Sequence, residues 1–231
     1  MKLLQRAKSY FTKGELWLWG GSVTMILLAY LLFDGKDALT LTASLIGATS
    51  LILNAKGNPL GQLLIIVFSG LYGVISYRAA YYGEMVTYLG MTAPMAAAAL
   101  VSWLRHPYKG NHAHVAVGRL RRGEPALLAV LTAGVTAGFY FILQALGTAS
   151  LGFSTLSVTT SFIAVYLTWR RSPFFALAYA ANDAVLLVLW AMAAKTDPGC
   201  ISVIVCFTIF LANDLYGLAN WLRMRRRQAE V

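Results

Sequence analysis

The sequence predicts an all-α polytopic membrane protein with eight transmembrane helices. Three observations predict it. Only 12% of the 231 residues are charged and 58% are apolar, whereas an average soluble domain is about 25% charged. Eight stretches come close to the roughly 20 apolar residues that a helix needs to cross the hydrocarbon core. Of the 19 basic residues, 16 fall on one side of the alternation those stretches impose. So little charge cannot cover a water-exposed surface, which excludes a soluble globular protein and a disordered chain. Twenty Gly without a period and two Cys exclude collagen-like and disulfide-scaffold classes.

Span one is Leu16–Phe33. It follows basic residues, as a signal core does. Its run of about 18 residues is long for one, and Leu31-Leu32-Phe33 offers no small-residue cleavage site, so it is expected to be retained. Asp34-Gly35-Lys36-Asp37 turns into span two, Ala38–Ala55. Lys56-Gly57-Asn58-Pro59 opens span three, Leu60–Tyr77, and Tyr82-Gly83-Glu84 opens span four, Met85–Leu104. A basic stretch precedes span five, Pro125–Leu146, and Gly147 separates it from span six, Leu151–Trp169. Arg170-Arg171-Ser172-Pro173 opens span seven, Phe174–Ala194, and Asp197-Pro198-Gly199 opens span eight, Ile201–Leu222. Gly, Pro, Asn and Asp are the residues of tight connections. No stretch alternates every second residue, so a barrel is not expected.

The basic residues orient the bundle. Lys2, Arg6, Lys8 and Lys13 precede span one. Lys56, Arg105, Lys109, Arg119, Arg121, Arg122, Arg170 and Arg171 fill even-numbered connections, and Arg223, Arg225, Arg226 and Arg227 follow span eight. Only Lys36, Arg78 and Lys195 lie opposite. The positive-inside rule then puts both termini in the cytoplasm, under a plasma (inner) membrane. Lipid headgroups account for the +10 charge, so no nucleic-acid partner is needed. Cys200 and Cys206 read as ordinary buried thiols. His106, His112 and His114 read as a solvated loop rather than a metal site. There is no P-loop and no nucleophile–base pair at matching depth, so neither an enzyme nor a cofactor is expected.

Two halves of the chain share an order of features. Leu100, Trp103, Leu104 and Arg105 recur as Leu218, Trp221, Leu222 and Arg223 at an offset of 118, and Pro59 recurs as Pro173 at 114. Residues 38–104 and 151–222 therefore read as parallel three-span repeats within one transport domain. Residues 125–146 form a linker helix and 16–33 an extra N-terminal helix. Span ends in general favour interfacial Trp and Arg, which is the bland alternative.

Ionisable residues inside a span are costly and mark function by default. Two Asn-Asp pairs qualify, Asn182-Asp183 in span seven and Asn213-Asp214 in span eight; the other seven acidic residues read as loops, turns or tails. Asp183 and Trp190 share a helix face, as do Asp214, Gly217 and Trp221; Asn213, Tyr216 and Asn220 form an adjacent stripe. Carboxylate, amide and indole together suit a small polar aromatic ligand. Locking spans seven and eight together is the alternative. Spans three and four add Tyr72, Tyr88 and Thr92 beside Pro94, which frees a carbonyl.

Three runs carry a family resemblance: Lys56-Gly57-Asn58 to Tyr81-Tyr82-Gly83-Glu84-Met85, Pro94-Met95 to Trp103, and Asn182-Asp183 through Trp190, Cys206-Phe207 and Asn213-Asp214-Leu215-Tyr216-Gly217 to Asn220-Trp221. Together they resemble the PnuC family of nicotinamide riboside transporters, in the branch found in Gram-positive bacteria, over residues 16–228. The resemblance implies a SWEET-like fold of three plus one plus three helices. It implies uniport of a vitamin precursor by facilitated diffusion, with trapping by a cytosolic kinase that need not touch the transporter. It leaves room for a homo-oligomer. Trp190 would stack the pyridine ring, Asn182 and Asn213 would bind carboxamide or ribose, and Asp183 would balance the pyridinium charge. Ala96 stands where many members carry a Gln. Thiamine or riboflavin transport, proton coupling through Asp183, and a non-transporting sensor or scaffold are the alternatives.

Overall fold

The computed structural model describes residues 10–34, 37–148 and 150–230. The early basic residues Lys2, Arg6 and Lys8, and Lys36 in the first turn, lie outside them. Thr12 and Glu15 begin the helix at Lys13 with a reciprocal cap: the Thr12 N–H donates to Glu15 Oε2 at 2.7 Å, and the Glu15 N–H donates to Thr12 Oγ1 at 3.2 Å. Among the described residues, eight helices are long and apolar enough to cross a membrane: α1 Lys13–Phe33, α2 Ala38–Ala55, α3 Leu60–Arg78, α4 Tyr82–Arg105, α5 Glu124–Ala145, α6 Leu151–Trp169, α7 Phe175–Ala193 and α8 Cys200–Ala229. The eight-span expectation is met. Helix α8 passes the expected Leu222, because its basic tail is anchored rather than free. Gln228 Oε1 accepts from the Val117 N–H at 2.7 Å.

Packing closes six helices into a ring. α2 lies on α3, α3 on α4, α4 on α6, α6 on α7, α7 on α8, and α8 returns to α2. The other two helices stand outside the ring. In α1 only 17% of the span is buried and in α5 only 11%, against 50% in α6, α7 and α8. Helix α1 straddles α2 and α8, while α5 packs on α6. The ring has two junctions between the residue 38–105 and 151–229 helices, α4 on α6 and α8 on α2. Each is closed by a Trp. Trp103 Nε1 donates to the Thr168 carbonyl at 3.0 Å, and Trp221 Nε1 donates to the Asn54 carbonyl at 2.8 Å. The donors are 118 apart and the acceptors 114, the two offsets of the sequence repeat.

The basic loop after α4 is not simply solvated. Pro107–Tyr108 and Asn111–Val115 pair as an antiparallel hairpin around Lys109-Gly110, both at positive φ. Val115 is fully buried, and its N–H donates to the Gly57 carbonyl at 3.0 Å. Gly57 sits at φ +67, and a Cβ there would meet Val115 Cγ1 at 3.1 Å, so this docking needs glycine.

Candidate functional site

The site grows from a defect in α4. Pro94 has no N–H, and its ring crowds the preceding turn. Residues Tyr88–Thr92 answer with a π-helical turn, in which the Ala93 N–H reaches back to the Tyr88 carbonyl. Such bulges re-aim side chains. Here Tyr88 and Thr92 are turned inward and buried.

Tyr88 meets an aromatic box built from both halves of the ring. Its ring centroid lies 4.4 Å from that of Tyr72 on α3, and Tyr72 lies 5.4 Å from Phe207 on α8. Trp190 on α7 donates its indole N–H to the Tyr72 hydroxyl at 2.7 Å. Tyr81 packs edge-on against Trp190 at 5.2 Å and donates to the Leu189 carbonyl at 3.0 Å. Edge-to-face contacts of this kind leave polar aromatic faces in an otherwise apolar interior.

Beside the box lie carboxyl groups. Asp183 on α7 and Asp214 on α8 are both buried and lie within electrostatic range of each other. Asp183 Oδ2 has no hydrogen-bond partner. Asp214 therefore sits alongside Asp183. The third carboxyl is Glu84. It is fully buried, and neither of its oxygens has a hydrogen-bond partner that meets geometric criteria, although Ser157 lies close. It is within electrostatic range of the Tyr72, Tyr81 and Tyr88 phenols.

Glu84 corrects the expectation that the seven acidic residues other than Asp183 and Asp214 lie in loops, turns or tails. Its turn-like Tyr82-Gly83-Glu84 context hid it. Gly83 is the signal that could have found it: a Cβ there would meet Leu143 and Ser154 at 3.1 Å, so glycine eases the close approach of this turn to α5 and α6. Glu15 and Glu124 are corrected too. Both are buried in first turns, where Glu15 pairs with Lys56 and Glu124 with Arg170.

The remaining predicted residues divide. Asn182 turns to α6, where Ser157, Thr160 and Ser161 all donate to its Oδ1, at 3.2, 2.8 and 3.0 Å. Asn213 donates to Ser22 on α1 at 3.1 Å, while its Oδ1 has no partner. Tyr72, Tyr88, Trp190, Asp183 and Asp214 come together, with Thr92 on the same π turn. Tyr216 does not join them. Its hydroxyl donates to Glu15 Oε1 at 3.0 Å near the basic face, because it points from α8 towards α1.

A closed ring of spanning helices around a buried aromatic and acidic centre is the arrangement of a small-molecule membrane transporter. The family model described as "Nicotinamide mononucleotide transporter" matches residues 37–223, and the chain belongs to that family. A nicotinamide riboside transporter PnuC from Neisseria mucosa is 25% identical over 202 residues, covering 85% of this chain and 76% of its own. One from Haemophilus influenzae is 24% identical over 191 residues, covering 82% and 81%. A crystal structure of the vitamin B3 transporter PnuC has the same fold, with a TM-score of 0.82 at 21% identity and 94% of each chain covered.

Proposed function

We propose that this chain imports nicotinamide riboside by uniport across the plasma membrane, with both termini in the cytoplasm and trapping left to a cytosolic kinase. The names of the relatives point to a nicotinamide riboside and that of the family to its phosphorylated form. One observation favours the former. The box is flanked by three buried carboxyls, Glu84, Asp183 and Asp214, and the one buried basic residue among the described ones, Lys56, is committed to Glu15 near the basic face. A phosphate dianion has no partner there, whereas a pyridinium cation meets ring faces and carboxylates.

Trp190, Tyr72 and Tyr88 supply the faces, and Thr92 and the free Oδ1 of Asn213 supply polar contacts. Asn182 keeps its amide donors, and the Asp183–Asp214 pair lies opposite the cation. The reciprocal Trp103 and Trp221 bonds support two parallel three-helix units rocking about this centre. Calorimetry on the purified protein tests the substrate with nicotinamide riboside, nicotinamide mononucleotide, nicotinamide, thiamine and riboflavin. Nicotinamide riboside is expected to bind, and Trp190→Ala to weaken it about tenfold or more. Binding of thiamine alone overturns the substrate, and unchanged binding in both Trp190→Ala and Asp183→Asn overturns the site.

A second reading has one observation behind it, the juxtaposition of two buried carboxyls, Asp183 and Asp214. It makes transport proton-coupled. Uptake into vesicles that follows an imposed pH gradient establishes it and ends uniport.

A further inference from the structure

A concave site separate from the aromatic box lies on the face that carries the termini. Between the ends of α4 and α6 is a cavity of about 460 Å³. Arg105, Arg119, Arg121, Arg170 and Arg171 line it. Of these, only Arg170 has a carboxylate partner among the described residues, Glu124. Four guanidiniums share the cavity without compensation. Arg171 is the most constrained of them. Its Nε is buried and has no hydrogen-bond partner, and burial, with Arg170 beside it, pushes its guanidinium below the usual range. An unpaired, partly desolvated cation is unfavourable, and a bound anion removes that cost.

The other wall is apolar and faces outward from the ring. Val101 on α4 is 46% exposed and Trp169 at the end of α6 is 38% exposed. Both sit within the last turns of spanning helices. A soluble phosphate would use only the cations. An anionic phospholipid uses both walls, with its phosphate among the guanidiniums and an acyl chain leaving along Val101. Basic pockets between transmembrane helices at this level recognise such headgroups.

We propose that this cavity binds the phosphate of an anionic phospholipid from the leaflet at the basic face, with Arg105, Arg119, Arg121 and Arg171 as its contacts. The lipid seals the α4–α6 junction from outside, as α1 seals the α8–α2 junction. The inference needs only that the chain spans a bilayer, so it stands apart from the choice of transported substrate.

Native mass spectrometry of the full chain in neutral detergent tests it with phosphatidylglycerol, phosphatidylcholine and inorganic phosphate. One saturable phosphatidylglycerol adduct is expected, with no comparable adduct from the other two. Arg105→Gln with Arg121→Gln changes two exposed side chains, leaves the fold intact, and is expected to weaken that adduct at least about tenfold. Lys109→Gln with Arg227→Gln, elsewhere on the same face, is expected to leave it unchanged. Equal loss in both pairs means diffuse charge and overturns the site. Unchanged binding in the first pair overturns it too. Inorganic phosphate binding as tightly as the lipid overturns the lipid in favour of a soluble anion.

Discussion

Glu15 and Glu124 occupy the first turns of the two helices outside the ring, and each pairs with the basic residue that ends a ring helix. Lys56 follows α2 and Arg170 follows α6, 114 residues apart. The chemistry is the same but the reach is not. Glu15 accepts from Lys56 Nζ through both oxygens, at 3.0 and 2.9 Å, and from Tyr216 on α8 at 3.0 Å. It therefore ties one three-helix unit to the other. Glu124 accepts from Arg170 and from Tyr166, both belonging to α6 and its end, and from the Arg121 N–H. It ties α5 to a single unit. Burial follows the same division. The Lys56 and Glu15 side chains are 10% and 3% exposed, against 25% and 9% for Arg170 and Glu124. An ion pair becomes a strap only when its helix spans both partners.

The largest expected effect is at the strap. Glu15→Ala leaves the Lys56 ammonium buried without a carboxylate partner, a loss of about 3–5 kcal/mol that thermal unfolding in detergent measures. Adding Lys56→Met to Glu15→Met is expected to recover most of it, since no buried charge remains. If the double variant is as unstable as Glu15→Ala, the strap acts through packing and not through charge. Glu124→Ala comes next, at about 1–3 kcal/mol, because the more exposed Arg170 can return to water. A loss equal to that of Glu15→Ala would erase the distinction between the two pairs.

Smaller effects sharpen it. Trp103→Phe and Trp221→Phe each remove one hydrogen bond across a junction, about 1 kcal/mol in each case. Hydrogen exchange separates them: Trp103→Phe is expected to speed exchange at the α4 and α6 ends, while the α8–α2 end stays protected under its strap. Equal acceleration at both ends contradicts that. Tyr216→Phe is the mildest, below about 1 kcal/mol, since Lys56 still holds Glu15.

Much of this was legible in the sequence because the bilayer makes demands one span at a time. Backbone groups in hydrocarbon must bond within the helix, so span number follows from apolar runs, and turn residues locate the breaks. Asp183 and Asp214 stood out because a carboxyl inside an apolar run is costly and needs a reason, a ligand or a partner helix. Glu84 did not, because its tyrosine–glycine neighbours look like any loop. Burial came from Gly83 admitting α5 and α6, a contact that no spacing along the chain records. Tyr216 shares a stripe with Asn213, yet stripes a small rotation apart face different neighbours, and α1 claims this one.

The sequence by itself determined eight spanning helices, the sorting of basic residues between the two ends of those spans and the two Asn-Asp pairs. Each depends on local composition or on a fixed offset along one chain. The tertiary structure alone decided that α1 straddles a junction while α5 does not, that Glu84 joins the aspartates beside the aromatic box, and that unpaired arginines gather at the α4–α6 gap. Those outcomes depend on which helix surfaces meet, and van der Waals contact and hydrogen bonding act over distances that the linear order does not encode.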